Sequence, residues 1–207
     1  MKQAKSHTKP GATGAKRLAA VAGAPGEVRV ISGKWRGRKL AVLDAEGLRP
    51  TTDRVKETLF NWLMHDISGA KVLDCFAGSG SLAFEALSRH ASHATLVERE
   101  ALQARQLQQN ISKLQCDNAK VLQQDCLGYL SATANNQFDV VFIDPPFRKQ
   151  LALPCCNALE QNNWLAQQAL IYLETEKELQ VSELPANWRL LKEKIAGQLA
   201  YRLYQRG

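Results

Sequence analysis

Four consecutive residues, Asp144, Pro145, Pro146 and Phe147, follow the apolar run of residues 138–143. Such a run is typical of a strand buried on both faces of a parallel sheet, and ligands bind at the carboxyl ends of such strands. Because prolines lack an N–H and hold the preceding residue extended, this tetrad presents two acceptors, the Asp144 carboxylate and the Pro145 carbonyl. An amino group on a heteroaromatic ring supplies two donors and a face that can stack on Phe147, so the tetrad predicts a site for a nucleobase amine. A simple turn with Phe147 in the core is the alternative.

A glycine-rich segment follows another predicted strand upstream. Residues 71–74 have the pattern of a strand, and Gly78 and Gly80 then allow a tight turn and a close approach to a ligand before a helix begins. The next predicted strand, residues 94–97, ends at Glu98, whose carboxylate can accept hydrogen bonds from both hydroxyls of a ribose. This order predicts a nucleotide-cofactor loop.

Two cofactors fit this loop. Gly78, Gly80 and Ala83 match the dinucleotide fingerprint, with an acid about 20 residues further on. Asp74, at the tip of the preceding strand, favours S-adenosylmethionine instead, because its carboxylate would repel a pyrophosphate and attract the ammonium of the methionine moiety. A dinucleotide remains the alternative.

Two further segments supply candidate cofactor contacts. Asp125, after another short strand, is placed to accept a hydrogen bond from an adenine amine, with Cys126 beside it; capping of the next helix is the alternative. Arg49, Thr52 and Arg54 lie at the start of a helix whose apolar residues recur at helical spacing. There they can face the cofactor carboxylate or an RNA phosphate, or serve only as cap and surface charge.

Positive charge is concentrated at the amino terminus. The net charge of the 207 residues is +7, and residues 1–40 hold ten basic residues against one acid, which leaves −2 for the remainder. Residues 1–26 lack periodicity and predict a disordered basic tail. Residues 27–48 predict a basic β-hairpin, with strands over residues 28–32 and 38–43, whose tip suits phosphate contacts beside a stacking platform. The candidate RNA-binding residues at this tip are Lys34, Trp35, Arg36 and Arg38, and a surface hairpin in which Trp35 caps the core is the alternative.

Composition favours one compact enzyme domain. A hydrophobic fraction of 45% can bury one sizeable core, but 207 residues leave little room for a second catalytic domain. The five cysteines form no Cys-x-x-Cys pair, so neither a disulfide framework nor a zinc site is predicted, and a reducing, cytoplasmic location is expected. The Ala-rich stretch after Lys16 and Arg17 lies too far inside a polar leader for a signal peptide, and no stretch is long enough to span a bilayer.

The predicted elements alternate between strands and helices. Residues 104–114 carry a helical apolar stripe, residues 169–173 form a buried strand, and two strands flank Gly197 at the carboxyl end. This order predicts an α/β, Rossmann-like fold over residues 49–207, with a mostly parallel seven-stranded sheet closed by an antiparallel C-terminal hairpin. The small N-terminal β-hairpin is an extension of this domain, and the arrangement is that of class I methyltransferases.

From about Arg29 to Gln205 the chain resembles the bacterial 16S rRNA guanine-N2 methyltransferase family. The matching segments are RVISGKWRGRKL (29–40), LRPTTDRVKETLFNW (48–62), DCFAGSG (74–80), EALSR (85–89), DPPF (144–147) and GQLAYRLY (197–204). The first two are the specific ones, whereas DPPF alone is shared by many amino-group methyltransferases. Ala83 and His90 stand where the family more commonly has glycine, and residues 1–26 are an addition.

The resemblance implies methyl transfer from S-adenosylmethionine, without a metal, to the N2 amine of a guanine in 16S rRNA, during assembly of the 30S subunit and by a monomer. It implies that the DPPF tetrad is catalytic and that the cofactor contacts are Asp74, Phe76, Gly78, Gly80, Glu98, Asp125, Cys126, Thr52 and Arg54. Two rival functions stay open. A DNA adenine-N6 or protein glutamine-N5 methyltransferase would use a similar tetrad, commonly with a separate recognition domain, and a non-catalytic RNA-binding module would not need acids at three strand ends.

Overall fold

The computed structural model describes residues 26–43, 52–179 and 181–207. The strands are β1 Gly26–Arg29, β2 Lys39–Val42, β3 Lys71–Asp74, β4 His93–Glu98, β5 Ala119–Gln123, β6 Phe138–Ile143, β7 Leu165–Glu176, β8 Trp188–Ala196 and β9 Leu199–Arg206. The α-helices are α1 Asp53–Trp62, α2 Ser81–Ser88, α3 Ala101–Leu114, α4 Cys126–Leu130 and α5 Ala152–Gln161. Short 3-10 helices cover Gly33–Trp35 and Val181–Glu183.

Seven strands form one sheet in the order β5-β4-β3-β6-β7-β9-β8. The first five are parallel, and β9 runs antiparallel to both β7 and β8. The predicted mostly parallel sheet with an antiparallel C-terminal hairpin is therefore confirmed. The chain proceeds outward from β3 to β5 on one side and from β6 to β8 on the other, so the strand order reverses between β3 and β6. In open α/β sheets this switch point is where ligands bind, at the carboxyl ends of the strands.

The two faces of the sheet pack against different helices. Val72, Phe142 and Tyr172 belong to the core cluster that includes residues of α1, α2 and α3. Their neighbours in sequence belong to the cluster beneath α4 and α5, because side chains alternate along a strand. The registers align Asp74 with Phe142 and Phe142 with Tyr172, so these three residues point to the same face. We call it the α1 face.

The N-terminal hairpin is held against α2 by buried side chains of that helix. Glu85 is fully buried; its Oε2 accepts from the Ile31 amide at 2.8 Å and its Oε1 from Arg89 Nε at 2.8 Å. The Ser88 hydroxyl accepts from the Trp35 amide at 2.9 Å. Gly33 has a φ of +76°, and a Cβ there would lie 1.9 Å from the Ser88 carbonyl oxygen, so only glycine fits this approach. The predicted strand over residues 28–32 is thus partly wrong, since β1 ends at Arg29 and the next residues bind the helix.

A buried lysine joins the hairpin to α1. Lys56 is 1% exposed, and its Nζ donates to the Arg29 carbonyl at 2.5 Å and lies 3.2 Å from Asp53 Oδ1. The Arg29 guanidinium lies 2.7 Å from the other carboxylate oxygen of Asp53, Oδ2. Because loss of these partners would leave the buried Lys56 ammonium uncompensated, these contacts fix the hairpin relative to the domain.

Two predicted segments lie outside the described residues. They are most of the basic tail, residues 1–25, and residues 44–51, which comprise the end of the predicted hairpin segment and the first residues of the predicted domain, including Arg49. Within the part of the chain that the structure describes, none of the helices has the length and hydropathy needed to cross a membrane.

Candidate active site

Three acids end three adjacent strands on the α1 face. Asp74 closes β3 at the centre, Glu98 closes β4 on one side, and Asp144 follows β6 on the other. On one side of β3, Asp74 pairs with Leu96, and Glu98 comes two residues after Leu96. On the other side, Asp74 pairs with Phe142, and Asp144 comes two residues after Phe142. Alternation along each strand therefore brings all three carboxylates to one side of the switch point.

Asp74 is the most buried of these acids, at 3% exposure. Burial raises its pKa from 3.8 to about 7, the backbone N–H groups of Ala83 and Phe76 act against this rise, and the charge of Glu98 adds to it. A buried carboxylate with a raised pKa is stabilised in its charged form by a cationic ligand. The site therefore fits an ammonium group and disfavours a pyrophosphate.

This raised pKa predicts a pH-dependent affinity for the methyl donor. The donor's amine has a pKa of about 8, so it stays protonated between pH 5.5 and 7.0 while Asp74 ionises. We expect isothermal titration calorimetry to show donor affinity rising roughly tenfold over this range, because only ionised Asp74 attracts the ammonium.

Asp74→Asn is the matched control and should bind the donor weakly, with no such pH dependence. In the donor-free protein, the stability of the wild type relative to Asp74→Asn should fall as pH rises from about 4 to 7. In that window folded Asp74 keeps a proton that the unfolded chain, with a pKa of 3.8, has released. An affinity that is flat with pH in the wild type would contradict the assignment.

The glycine loop turns over the ends of β3 and β4. Gly78 has a φ of 49°, and its amide donates to Glu98 Oε2 at 2.9 Å. Gly80 has a φ of +74°, and a Cβ there would lie 2.5 Å from the Phe84 ring and 2.6 Å from Leu107, so both conformation and packing demand glycine. The Ser81 hydroxyl, at the start of α2, is buried without a hydrogen-bond partner among the described residues. An unpartnered polar atom at a helix amino terminus fits a loop built to hold a polar ligand.

Glu98 is positioned by backbone amides on both of its oxygens. Besides the Gly78 amide, the Glu100 amide donates to Oε1 at 2.8 Å. Each carboxylate oxygen has a second lone pair, so the predicted contact with two ribose hydroxyls is sterically compatible with this arrangement. The sequence predicts that Glu98 is a ligand residue, but it does not indicate that Glu98 also shapes the glycine loop.

Asp125 and Cys126 have local roles that the sequence only partly indicates. Asp125 caps α4, since its Oδ2 accepts from the Gly128 amide at 2.9 Å. Cys126 points into the core, where its Sγ lies 4.0 Å from that of Cys155. The predicted contact of Cys126 with the cofactor stays a prediction, and with the side chain in the core it would be made by the backbone.

The sequence did not reveal that three cysteines lie together. The sulfur atoms of Cys75, Cys126 and Cys155 are all within 4.8 Å of one another. Burial raises the pKa of Cys75 well above its usual range, and the hydrogen bond with Cys126 raises that of Cys155, whereas hydrogen bonds from Cys155 and Cys75 lower the pKa of Cys126 to about 5. All three side chains pack within the core cluster beneath α4 and α5.

The tetrad forms the outer wall of the site. Asp144 and Pro145 are half-buried, whereas Phe147 is 43% exposed and the Arg148 guanidinium lies 5.1 Å from the centre of its ring. The amide of Arg148 donates to Glu176, which ties the segment to the end of β7. The alternative with Phe147 packed in the core is therefore wrong, since its ring faces outward, where a planar group can stack.

Thr52 and Arg54 lie at the start of α1, beside the C-terminal hairpin. Thr52 caps α1 by accepting from the Val55 amide at 3.4 Å. Both residues line a cavity with Lys194 and Tyr201, and among the described residues no part of the glycine loop lines it. Their contact with the cofactor stays a prediction, and the cavity is a feature that the sequence did not indicate.

The hairpin tip is partly occupied by its own contacts. Trp35 is half-buried against the core, and Lys34 Nζ lies 4.3 Å from the centre of its ring. The Arg38 guanidinium donates to the Lys113 carbonyl at 3.1 Å. Lys34 and Arg36 remain exposed, so they are the cations at this tip that are best placed for a phosphate.

Comparison with known proteins places the chain in a family. A family model described as Conserved hypothetical protein 95 matches residues 28–205. Ribosomal RNA small subunit methyltransferase D of Escherichia coli (strain K12) is 54% identical over 181 residues, 87% of this chain and 91% of that protein. The protein of the same name in Haemophilus influenzae is 55% identical over 185 residues, 88% of this chain and 95% of that protein. The solved structure of yhhF from Escherichia coli has a TM-score of 0.82 at 50% identity and covers 87% of this chain and 98% of its own. The chain therefore belongs to the Conserved hypothetical protein 95 family, together with the ribosomal RNA small subunit methyltransferases D.

Proposed function

We propose that this protein transfers a methyl group from S-adenosylmethionine to the exocyclic N2 amine of a guanine in 16S rRNA, free or in the assembling 30S subunit. Methylation of small-subunit rRNA follows from family membership, since relatives at 54% and 55% identity carry that name. The choice of an amine as acceptor depends on one observation. Asp144 and Pro145 present acceptors beside the exposed Phe147 ring, on the sheet face that also carries Asp74 and Glu98.

The donor site combines charge with backbone geometry. S-adenosylmethionine, when bound, supplies a methyl carbon made electrophilic by its sulfonium. Buried Asp74 would hold the ammonium of the donor, and Glu98 would hold the ribose from a position fixed by the Gly78 amide. Ser81 offers a buried hydroxyl at the same loop, and the Asp125 carboxylate stands at the start of α4 for the adenine amine.

Catalysis by this site would consist mainly of positioning. The Asp144 carboxylate and the Pro145 carbonyl would accept the two N–H bonds of the guanine amine, which turns the nitrogen lone pair toward the methyl carbon. Asp144 also stabilises the positive charge that develops on the nitrogen as the new bond forms. Phe147 would stack on the base, which must be unpaired or flipped out to reach this pocket.

RNA contacts at the hairpin predict a change in salt dependence. Neutralising two exposed cations in the double variant Lys34→Gln/Arg36→Gln should weaken RNA binding and flatten the slope of log affinity against log salt by about 1.4, or about 0.7 per contact. Filter binding over a salt series measures both quantities.

The control for this variant is Lys71→Gln/Lys120→Gln, which removes two cations at the amino ends of parallel strands, away from the site. Removal of residues 1–26 should cost less affinity than the hairpin variant, because a segment whose sequence predicts disorder would lose entropy on binding. If the hairpin variant keeps the wild-type slope of log affinity against log salt, the RNA-binding surface lies elsewhere.

The rival functions differ in which macromolecule receives the methyl group. A labelled donor is incubated with the protein and, separately, free 16S rRNA, assembled small subunits, duplex DNA and cell protein. We expect label in rRNA or small subunits alone. Label in DNA or protein would support the adenine-N6 or glutamine-N5 alternative, and RNA binding without any label would support a binding module.

A further inference from the structure

A cavity lies on the α1 face beside Asp144. It has a volume of about 310 Å³ and lies between α1, β7 and the turn that joins β8 to β9. The residues on which its chemistry depends are Arg54, Thr58, Trp62, Tyr172, Lys194 and Tyr201. This volume is at the lower end of ligand pockets, about 300–1,000 Å³, and therefore suits a single nucleobase rather than a larger ligand.

The lining combines aromatic rings with two available cations. Trp62 is half-buried, whereas Tyr172 and Tyr201 are buried, so the rings form the floor and one wall. Arg54 and Lys194 are exposed at the rim, and within the described part of the chain neither forms an ion pair. No acid lines the cavity among the described residues. Aromatic platforms edged by cations are the groups that bind bases and phosphates of single-stranded nucleic acid.

Contacts within α1 and across to β8 bring Lys194 to the helix that carries Arg54. Lys194 Nζ lies 3.4 Å from Thr58 Oγ1, and the Thr58 hydroxyl donates to the Arg54 carbonyl at 3.0 Å. Thr58 therefore brings the β8 lysine to the same helix that carries Arg54. Two positive charges on one rim suit an anion between them.

The cavity is close to the proposed methylation site. Tyr172 pairs with Phe142 on the neighbouring strand, two residues before Asp144. Burial raises the pKa of the Tyr172 hydroxyl, and the charges of Glu174 and Asp144 add to this rise. Tyr201, on β9, pairs with Glu174 of β7. Neighbouring strands are about 4.8 Å apart, so one or two strand spacings separate the floor from Asp144, which is within reach of an adjacent nucleotide.

We propose that this cavity binds the nucleotide next to the target guanine, with its base on Trp62 and Tyr201 and its phosphate on Arg54 and Lys194. This inference rests on the proposed function, because it takes the nucleobase beside Asp144 to be the methylated one. The cavity would hold the RNA strand while the target base is turned into the site. It would also make methylation sensitive to the identity of the flanking base.

Charge removal at the rim tests the phosphate contact. Lys194→Gln and Arg54→Gln are compared with Lys120→Gln, using steady-state methylation of whichever of free 16S rRNA or small subunits is the better substrate. Each rim variant should raise KM for RNA about fivefold at 0.1 M salt and flatten its salt slope by about 0.7, with kcat unchanged. Donor affinity should also stay unchanged in Lys194→Gln, and a loss of donor affinity in Arg54→Gln would overturn the assignment of Arg54 to the phosphate. If both rim variants match Lys120→Gln, the proposal is overturned.

A blocking variant tests the base contact. Thr58→Trp would fill the cavity from α1, and it should raise KM at least as much as the charge variants while the melting temperature and donor affinity stay at wild-type values. A fall in kcat with unchanged KM would place the target base itself in the cavity and overturn the assignment to its neighbour. Absence of guanine methylation by the wild type would instead contradict the proposed function.

Discussion

Asp144→Ala should lower kcat for methyl transfer by about 10² to 10³-fold, the usual cost of removing a group that stabilises a transition state. The variant loses the carboxylate that is proposed to hold the guanine amine and its developing charge. Donor affinity, measured by calorimetry, should stay within twofold or so of wild type, because Asp144 lies on the far side of β3 from Glu98.

The control for this change is Asp139→Asn, which alters an acid at the opposite end of the same strand. Asp139 accepts from the Lys71 amide at 2.8 Å and has no place in the site. Its kcat should equal that of the wild type. Wild-type turnover by Asp144→Ala would remove this residue from the reaction and with it the proposed acceptor array.

Glu98→Ala should weaken binding of the methyl donor by about 10² to 10⁴-fold. The change removes two proposed charge-assisted bonds to the ribose, each worth about 1.5–3 kcal/mol, and it releases the Gly78 amide that shapes the loop. Donor dissociation constants from calorimetry measure the effect, and transfer at saturating donor should recover most of the wild-type rate.

Glu100→Ala is the matched control, since it removes an equal charge two residues away. Glu100 is exposed and pairs with its neighbour Arg99, so its loss should leave donor binding unchanged. Equal affinities for Glu98→Ala and Glu100→Ala would move the ribose contact to another residue.

Much of this site was predictable because its chemistry is local in sequence. A buried strand ending in an acid is visible in β3 and in β6, and parallel strands bring their carboxyl ends together at the switch point. The strand order that places Asp74 between Glu98 and Asp144 could not be predicted from the alternating pattern, because several orders satisfy it. The fold class and the position of each acid at a strand end were predicted from residues that lie within a few positions of each strand end.

The parts that were missed depend on contacts between distant segments. The pattern of α1 indicates a surface charge at Lys56. The lysine is buried instead, because the Arg29 carbonyl, 27 residues away, accepts a hydrogen bond from it. Glu85 reads as an ordinary helix residue, yet it binds the Ile31 amide 54 residues away. The cavity beside Arg54 was not predicted, because the position of the β8–β9 turn next to α1 cannot be read from local pattern.

The central claim is tested most directly by identifying the methylated nucleoside. Small subunits and free 16S rRNA are incubated with the protein and a deuterated methyl donor, the RNA is digested to nucleosides, and heavy products are identified by mass spectrometry. The account predicts one heavy product, N2-methylguanosine, with the wild type and with Asp139→Asn, and its near absence with Asp144→Ala. A heavy methyl group on a ring nitrogen or on another base, or equal yields from wild type and Asp144→Ala, would contradict it.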